Sequence, residues 1–157
     1  MKLKSVSFLL ALFCLLCPLL LACGEPEPVV GEFVPPAFDP AAVAGTPEVP
    51  EGLGYGELDV KGIYKVSVCG VVRPSGSKAD VFLTNPAEND VWLKLRVLDA
   101  EGELLGETGL IRPGEYVQSI TLSRVPEQGS AITMKVMSYE PQTYYSAGEA
   151  KLATKIS

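Results

Sequence analysis

From Lys61 onward, apolar and polar positions alternate in short runs separated by turn residues. Ile63 to Val72 places Tyr64, Val66, Val68 and Val72 on one face. Pro74-Ser75-Gly76-Ser77 breaks that run, and Val81 and Leu83 open the next, which ends at Asn85-Pro86. Val91 to Leu98 is the clearest strand: its odd positions are all apolar, and Lys94 and Arg96 occupy two of its even ones. A turn at Asp99-Ala100-Glu101-Gly102 leads to Leu104 and Leu105. Arg112-Pro113-Gly114-Glu115 has Pro and Gly in the order a type II turn prefers. Tyr116, Gln118, Ile120 and Leu122 follow, then Ile132, Met134 and Val136, and the last run is Ala147 to Ile156. No segment has helical periodicity. About seven strands at this spacing predict an all-β fold, a single antiparallel β-sandwich over residues 57–157.

The chain before this region is built differently. Residues 24–56 hold seven prolines, six acidic residues and no basic ones. Glu25-Pro26-Glu27-Pro28 and Val34-Pro35-Pro36 favour extended polyproline II. With few periodic apolar residues, 23–56 is expected to be a disordered Pro-rich tether. The opposing expectation is that Phe33, Phe38 or Val43 docks as an extra strand, above all near Tyr55 to Val60.

Residues 1–22 have the layout of a signal peptide. Lys2 and Lys4 precede an uncharged, Leu- and Phe-rich run from Val6 to Leu21. The run is long enough to span a bilayer. Pro18 sits late in it, however, and no Lys or Arg follows until Lys61, so it lacks a basic stop-transfer flank. Leu20-Leu21-Ala22-Cys23 resembles the lipobox of bacterial lipoproteins, with Leu21 a loose fit. That resemblance implies export, cleavage before Cys23 and a diacylglycerol thioether on Cys23, often with a further acyl chain. Two or more chains anchor stably where one does not.

The formal net charge is −6, and −8 without Lys2 and Lys4. Such a chain repels phosphate backbones, which argues against nucleic acid as a partner. There is no histidine, which removes the commonest general base and zinc ligand. Of the four cysteines, Cys14 and Cys17 lie in the apolar run and Cys23 at the lipid site, so Cys69 has no partner for an intradomain disulfide. Cys69 is expected to be a partly buried strand residue. No catalytic residue, metal site or cofactor is expected.

The pieces Thr84-Asn85-Pro86, Val91 to Asp99 and Pro113-Gly114-Glu115 resemble the immunoglobulin-like or fibronectin type III-like modules of bacterial surface lipoproteins. The flavour of the whole is similar to lipoproteins of Gram-positive anaerobes, a resemblance that brings no activity with it.

Candidate binding residues are aromatic. Trp92 shares a face with Lys94 and Arg96, as a sugar platform or interface anchor would, or else caps the core. Tyr139, Tyr144 and Tyr145 surround Glu140-Pro141-Gln142-Thr143, where a loop surface with hydrogen-bonding tips would form. Asn85, Glu88, Asn89 and Asp90 carry oxygens that calcium uses, without EF-hand spacing. Glu101, Glu103 and Glu107 offer carboxylates for a small hydrolase but no evident cleft.

The expectation that follows is a non-enzymatic, lipid-anchored surface protein. It is held by Cys23 on the outer face of the cytoplasmic membrane or on an outer membrane, and presents a sandwich to a protein or glycan of the envelope. The alternative is a structural accessory subunit that pairs through a sheet edge.

Overall fold

The computed structural model describes residues 33–157, and the folded unit runs from Pro35 to Ser157. The described residues form ten strands and no helix: β1 (Val43–Ala44), β2 (Tyr55–Val60), β3 (Tyr64–Cys69), β4 (Pro74–Ser75), β5 (Lys78–Asn85), β6 (Trp92–Leu98), β7 (Leu104–Glu107), β8 (Glu115–Thr121), β9 (Ala131–Tyr139) and β10 (Ser146–Lys155). One sheet has the order β1-β8-β5-β3-β2, with β4 paired to β5, and the other has the order β10-β9-β6-β7. Every strand pairing is antiparallel. In the second sheet β6 and β9 lie centrally between β10 and β7, as strands C and F do between G and C′ in an immunoglobulin-like sandwich.

The alternation read from the sequence decides the layers. Val66 and Val68 of β3, Val81 and Leu83 of β5, Leu93, Leu95 and Val97 of β6, and Met134 and Val136 of β9 are buried in one core between the sheets. Burying a side chain of this size is worth about 1.5–3 kcal/mol, so a register slip that turned one strand over would cost several such terms at once.

β5 carries an extra residue between Asp80 and Leu83, and Phe82 there has φ +45°. Val81 and Leu83 on either side of it face the main core, so Phe82 faces the other way and joins a second cluster with Leu53 and Cys69, flanked by Val49 and Tyr55. Cys69 alternates with Val66 and Val68, so this small cluster covers the outer face of the larger sheet.

Three residues of that cluster, Val49, Leu53 and Tyr55, come from the stretch expected to be a tether, and the compact unit begins at Pro35 rather than at residue 57. The expected docking near Tyr55 to Val60 is present as β2, and Val43 lies in β1. Phe38 bridges Leu110 in parallel. The Asp39 amide donates to the Leu110 carbonyl at 2.9 Å and the Leu110 amide to the Ala37 carbonyl at 2.9 Å. A few residues later β1 pairs with β8 in the other sheet. Residues 37–44 therefore bond first to Leu110, in the segment that follows β7, and then to the open edge of β8, which they cover against further pairing. Prolines are compatible with this role, because an edge segment needs only some of its N–H groups.

Candidate functional site

Trp92 begins β6, and its neighbours come from three segments: β9, the N-terminal segment and the β9–β10 loop. Tyr139, the last residue of β9, is its cross-strand partner. The Phe38 ring meets it edge-on, with centroids 4.8 Å apart and planes at 79°, and Tyr144 does so at 5.2 Å and 61°. The Arg112 guanidinium lies 3.5 Å from the centroid of the Phe38 ring and pairs with Glu115 at 3.5 Å. Edge-to-face pairs of this kind are worth about 0.5–1.5 kcal/mol beyond their buried area. Trp92 is half-buried. It is a hub that ties the N-terminal segment, β6 and the β9–β10 loop together rather than a bare platform.

The β9–β10 loop is closed by its own hydrogen bonds. The Glu140 amide donates to the Tyr145 carbonyl at 2.9 Å, and the Tyr144 amide to the Glu140 carbonyl at 3.0 Å. Thr143 Oγ1 donates to Glu140 Oε2 at 2.9 Å and accepts from the Tyr145 amide at 3.2 Å. Tyr144 takes φ +58°, a conformation that costs a non-glycine residue about 1–3 kcal/mol and needs surrounding contacts to hold it. Those contacts include the Trp92 ring. The result is a loop of fixed shape that leaves Tyr145 71% exposed.

Beside this loop lies an open cleft of about 480 Å³. Its walls come from the β2–β3 turn (Ile63), the β5–β6 loop (Asp90, Val91) and the β9–β10 loop (Glu140, Pro141, Gln142). These are loops of one end of the sandwich, and the β5–β6 and β9–β10 loops correspond to the B–C and F–G loops with which variable domains bind. The cleft offers two carboxylates, an amide and apolar walls, a composition suited to holding a polar ligand by hydrogen bonds over an apolar floor.

Of the candidate residues, Trp92, Tyr139 and Tyr144 fall into one cluster, and Tyr145 stands clear of it on the surface. Cys23 lies outside the described residues. Ile63 and Arg112 were not among the candidates; Asp90 was considered only for calcium, Glu140 only as part of the tyrosine loop, and Phe38 only as a docking residue. The available signal for Phe38 was an aromatic followed by Asp39-Pro40 in a stretch poor in large side chains.

The two asparagines considered for calcium are engaged within the fold. Asn85 is fully buried; its Nδ2 donates to the Val91 carbonyl at 2.8 Å and the Ile111 carbonyl at 3.0 Å, and its Oδ1 accepts from Asn89 Nδ2 at 2.6 Å. Asn89 in turn accepts from the Lys65 amide at 2.9 Å and donates to the Lys65 carbonyl at 2.6 Å. The pair stitches β3, the β5–β6 loop and the segment after β7. Among the described residues no group of three His, Cys, Asp or Glu side chains is placed to hold a metal.

The three glutamates considered for hydrolysis are dispersed in role. Glu101 and Glu103 sit at the β6–β7 turn, where their amides donate to Asp99 Oδ1. Glu107 binds Lys94 at 2.9 Å and Arg96 at 2.8 Å. Burial raises the pKa of Glu107, but the hydrogen bonds from the two cations outweigh this and hold it below the ordinary carboxylate value. Cys69 is buried in β3, and its thiol is pushed up to about 11 by burial, with the nearby Asp80 charge adding to it. It stays a thiol at neutral pH and has no nucleophile's character.

No protein-family model and no curated protein matches the sequence. Among solved structures, the chain is similar to part of the Ruminococcus gnavus beta-glucuronidase in complex with uronic isofagomine, with 23% identity over 58% of this chain and 14% of that chain, at a TM-score of 0.39. The apo structure of the same enzyme gives the same identity and TM-score and is covered over 15% of its length. The chain thus spans a small part of the enzyme it is similar to, and nothing of that enzyme's chemistry passes to it at this degree of likeness.

Proposed function

We propose that this chain is an exported, lipid-anchored protein whose β-sandwich is a non-enzymatic binding module, with ligand contact at the end formed by the β2–β3, β5–β6 and β9–β10 loops. The observation that carries the binding reading is the self-closed loop 140–145, which spends backbone strain at Tyr144, leaves Tyr145 exposed and lines the cleft with Glu140 to Thr143. A loop ordered before binding loses less entropy on binding, which favours affinity. The anchor rests on Leu20-Leu21-Ala22-Cys23 and the charged and apolar regions before it.

Two experiments test the two halves separately. Growth of expressing bacteria with an alkyne-bearing palmitate analogue should label the protein, and Cys23→Ser should abolish the label; a labelled Cys23→Ser variant overturns the anchor. For the binding end, a photo-crosslinking amino acid at position 145 should give a discrete adduct on intact cells, and the same probe at Leu58 of β2 should not. Equal labelling from both positions, or none from 145, overturns the loop-end reading.

A further inference from the structure

The two sheets carry opposite charge. Within the strands of the four-stranded sheet the charged residues are Lys94, Arg96, Lys135, Lys151 and Lys155 against Glu107 and Glu149, five cations to two carboxylates. Within the strands of the larger sheet they are Lys65 and Lys78 against Glu57, Asp59, Asp80 and Glu115, two to four. The chain as a whole has a formal net charge of −6, so the positive face runs against its general character.

The register concentrates that charge. Arg96 pairs with Lys135 and Lys135 with Lys151, so three cations from three adjacent strands stand side by side on the outer face. Like charges directly opposite one another destabilise a sheet. Here only two carboxylates offset four cations: Glu107 is shared by Lys94 and Arg96, and Glu149 by Lys135 at 2.6 Å and Lys151 at 3.3 Å. Nothing in the packing of the core requires this row, because all its members point away from the core. Two positions further along β6 and β9 the same face carries Lys94 and Met137, and beyond them Trp92 and Tyr139.

We infer that this outer face binds an anionic polysaccharide. The row crosses three adjacent strands whose backbones lie about 4.8 Å apart, a repeat of the order of one sugar unit in an extended chain. Carboxylates on successive sugars would meet Arg96, Lys135 and Lys151 in turn. The acidic opposite sheet orients the molecule as it approaches a polyanion, so that the basic face arrives first. This surface is distinct from the loop-end cleft and does not depend on it.

The test is affinity electrophoresis of the full chain in a non-ionic detergent, in native gels containing polygalacturonate as the probe. The chain should be retarded by polygalacturonate and not by neutral dextran, and the retardation should weaken as salt rises from about 50 to about 300 mM. Combined replacement R96Q/K135Q/K151Q should weaken binding about tenfold, and K65Q/K78Q on the opposite sheet should leave it unchanged. The exposed single change Lys151→Gln, which leaves the core untouched, should weaken it about threefold, so the result does not hang on the folding of the triple variant. No retardation, retardation insensitive to salt, or equal weakening by the two sets of replacements overturns the inference. So does tighter binding to poly-glutamate, to an oligonucleotide or to phosphatidylglycerol vesicles than to polygalacturonate.

Discussion

Asp39 and Gly109 hold each other where the N-terminal segment meets the sandwich. Asp39 Oδ2 accepts the Gly109 amide at 2.7 Å, and the backbones run so close that a Cβ on Gly109 would stand 2.5 Å from the Asp39 nitrogen. The atoms it would strike are backbone, so they cannot swing aside. Phe38, one residue before Asp39, reaches Trp92 from this point. Gly109→Ala should therefore detach the segment, lower stability by about 1–3 kcal/mol in urea unfolding and open residues 33–45 to limited proteolysis. A variant that resists protease as well as the parent would refute this.

Asn85 is the polar joint within the core. Asn85→Ala would leave the Val91 and Ile111 carbonyls without this donor and Asn89 without this acceptor. Leaving such groups buried and unpaired costs about 1–3 kcal/mol. The urea midpoint should fall accordingly, and more than for Asn89→Ala, whose bonds are only partly buried.

Glu107 gives stability a dependence on acid. Its folded pKa lies below the ordinary 4.5. Its contribution is complete above that value and is lost as the pH falls through the lower, folded pKa, because the unfolded chain takes up the proton first. Glu107→Gln should flatten part of the decline in melting temperature below about pH 4.5. It should also destabilise the protein at neutral pH, since Lys94, only 8% exposed, loses its carboxylate.

Cys69 should resist alkylation. With its pKa near 11, almost no thiolate is present at pH 8, and Leu53 and Phe82 cover it. Iodoacetamide followed by peptide mapping should leave the Cys69 peptide unmodified until denaturant is added. Because the folded pKa exceeds the unfolded one, stability should also decline as the pH rises past about 9. Rapid modification in the native state would show that the cover over Cys69 opens readily.

Alternation along the chain was enough to read β3, β5 to β7, β9 and β10, and the placement of Trp92 with Lys94 and Arg96 on the outer face of β6; β8 was read too, but with Tyr116 and Gln118 on the face of Ile120 and Leu122, whereas Val117 is the buried residue there. Side chains facing a core must be apolar, and strand geometry repeats every two residues, so this information is written in residue order. The Phe82 bulge was not legible, because the signal lies in a backbone angle. The docking of residues 37–44 was open in the sequence, where Phe38 and Val43 stood only as the opposing expectation to a tether. It rests on main-chain hydrogen bonds, which every residue but proline can make, and on a single ring, Phe38, that fits beside Trp92. Glu140 and Thr143 looked like ordinary turn residues and proved to be the lock of the β9–β10 loop.

The sequence by itself determined the all-β class, the turn positions and the lipobox-like motif at Cys23, each of which depends on residues adjacent or nearly adjacent in the chain. Only the tertiary structure decided that the sandwich begins at Pro35, that Phe38 and Tyr144 enclose Trp92, and that Arg96, Lys135 and Lys151 form one row. Those relations depend on register between strands up to some fifty residues apart. Register is set by the whole core packing at once, and no local pattern records it.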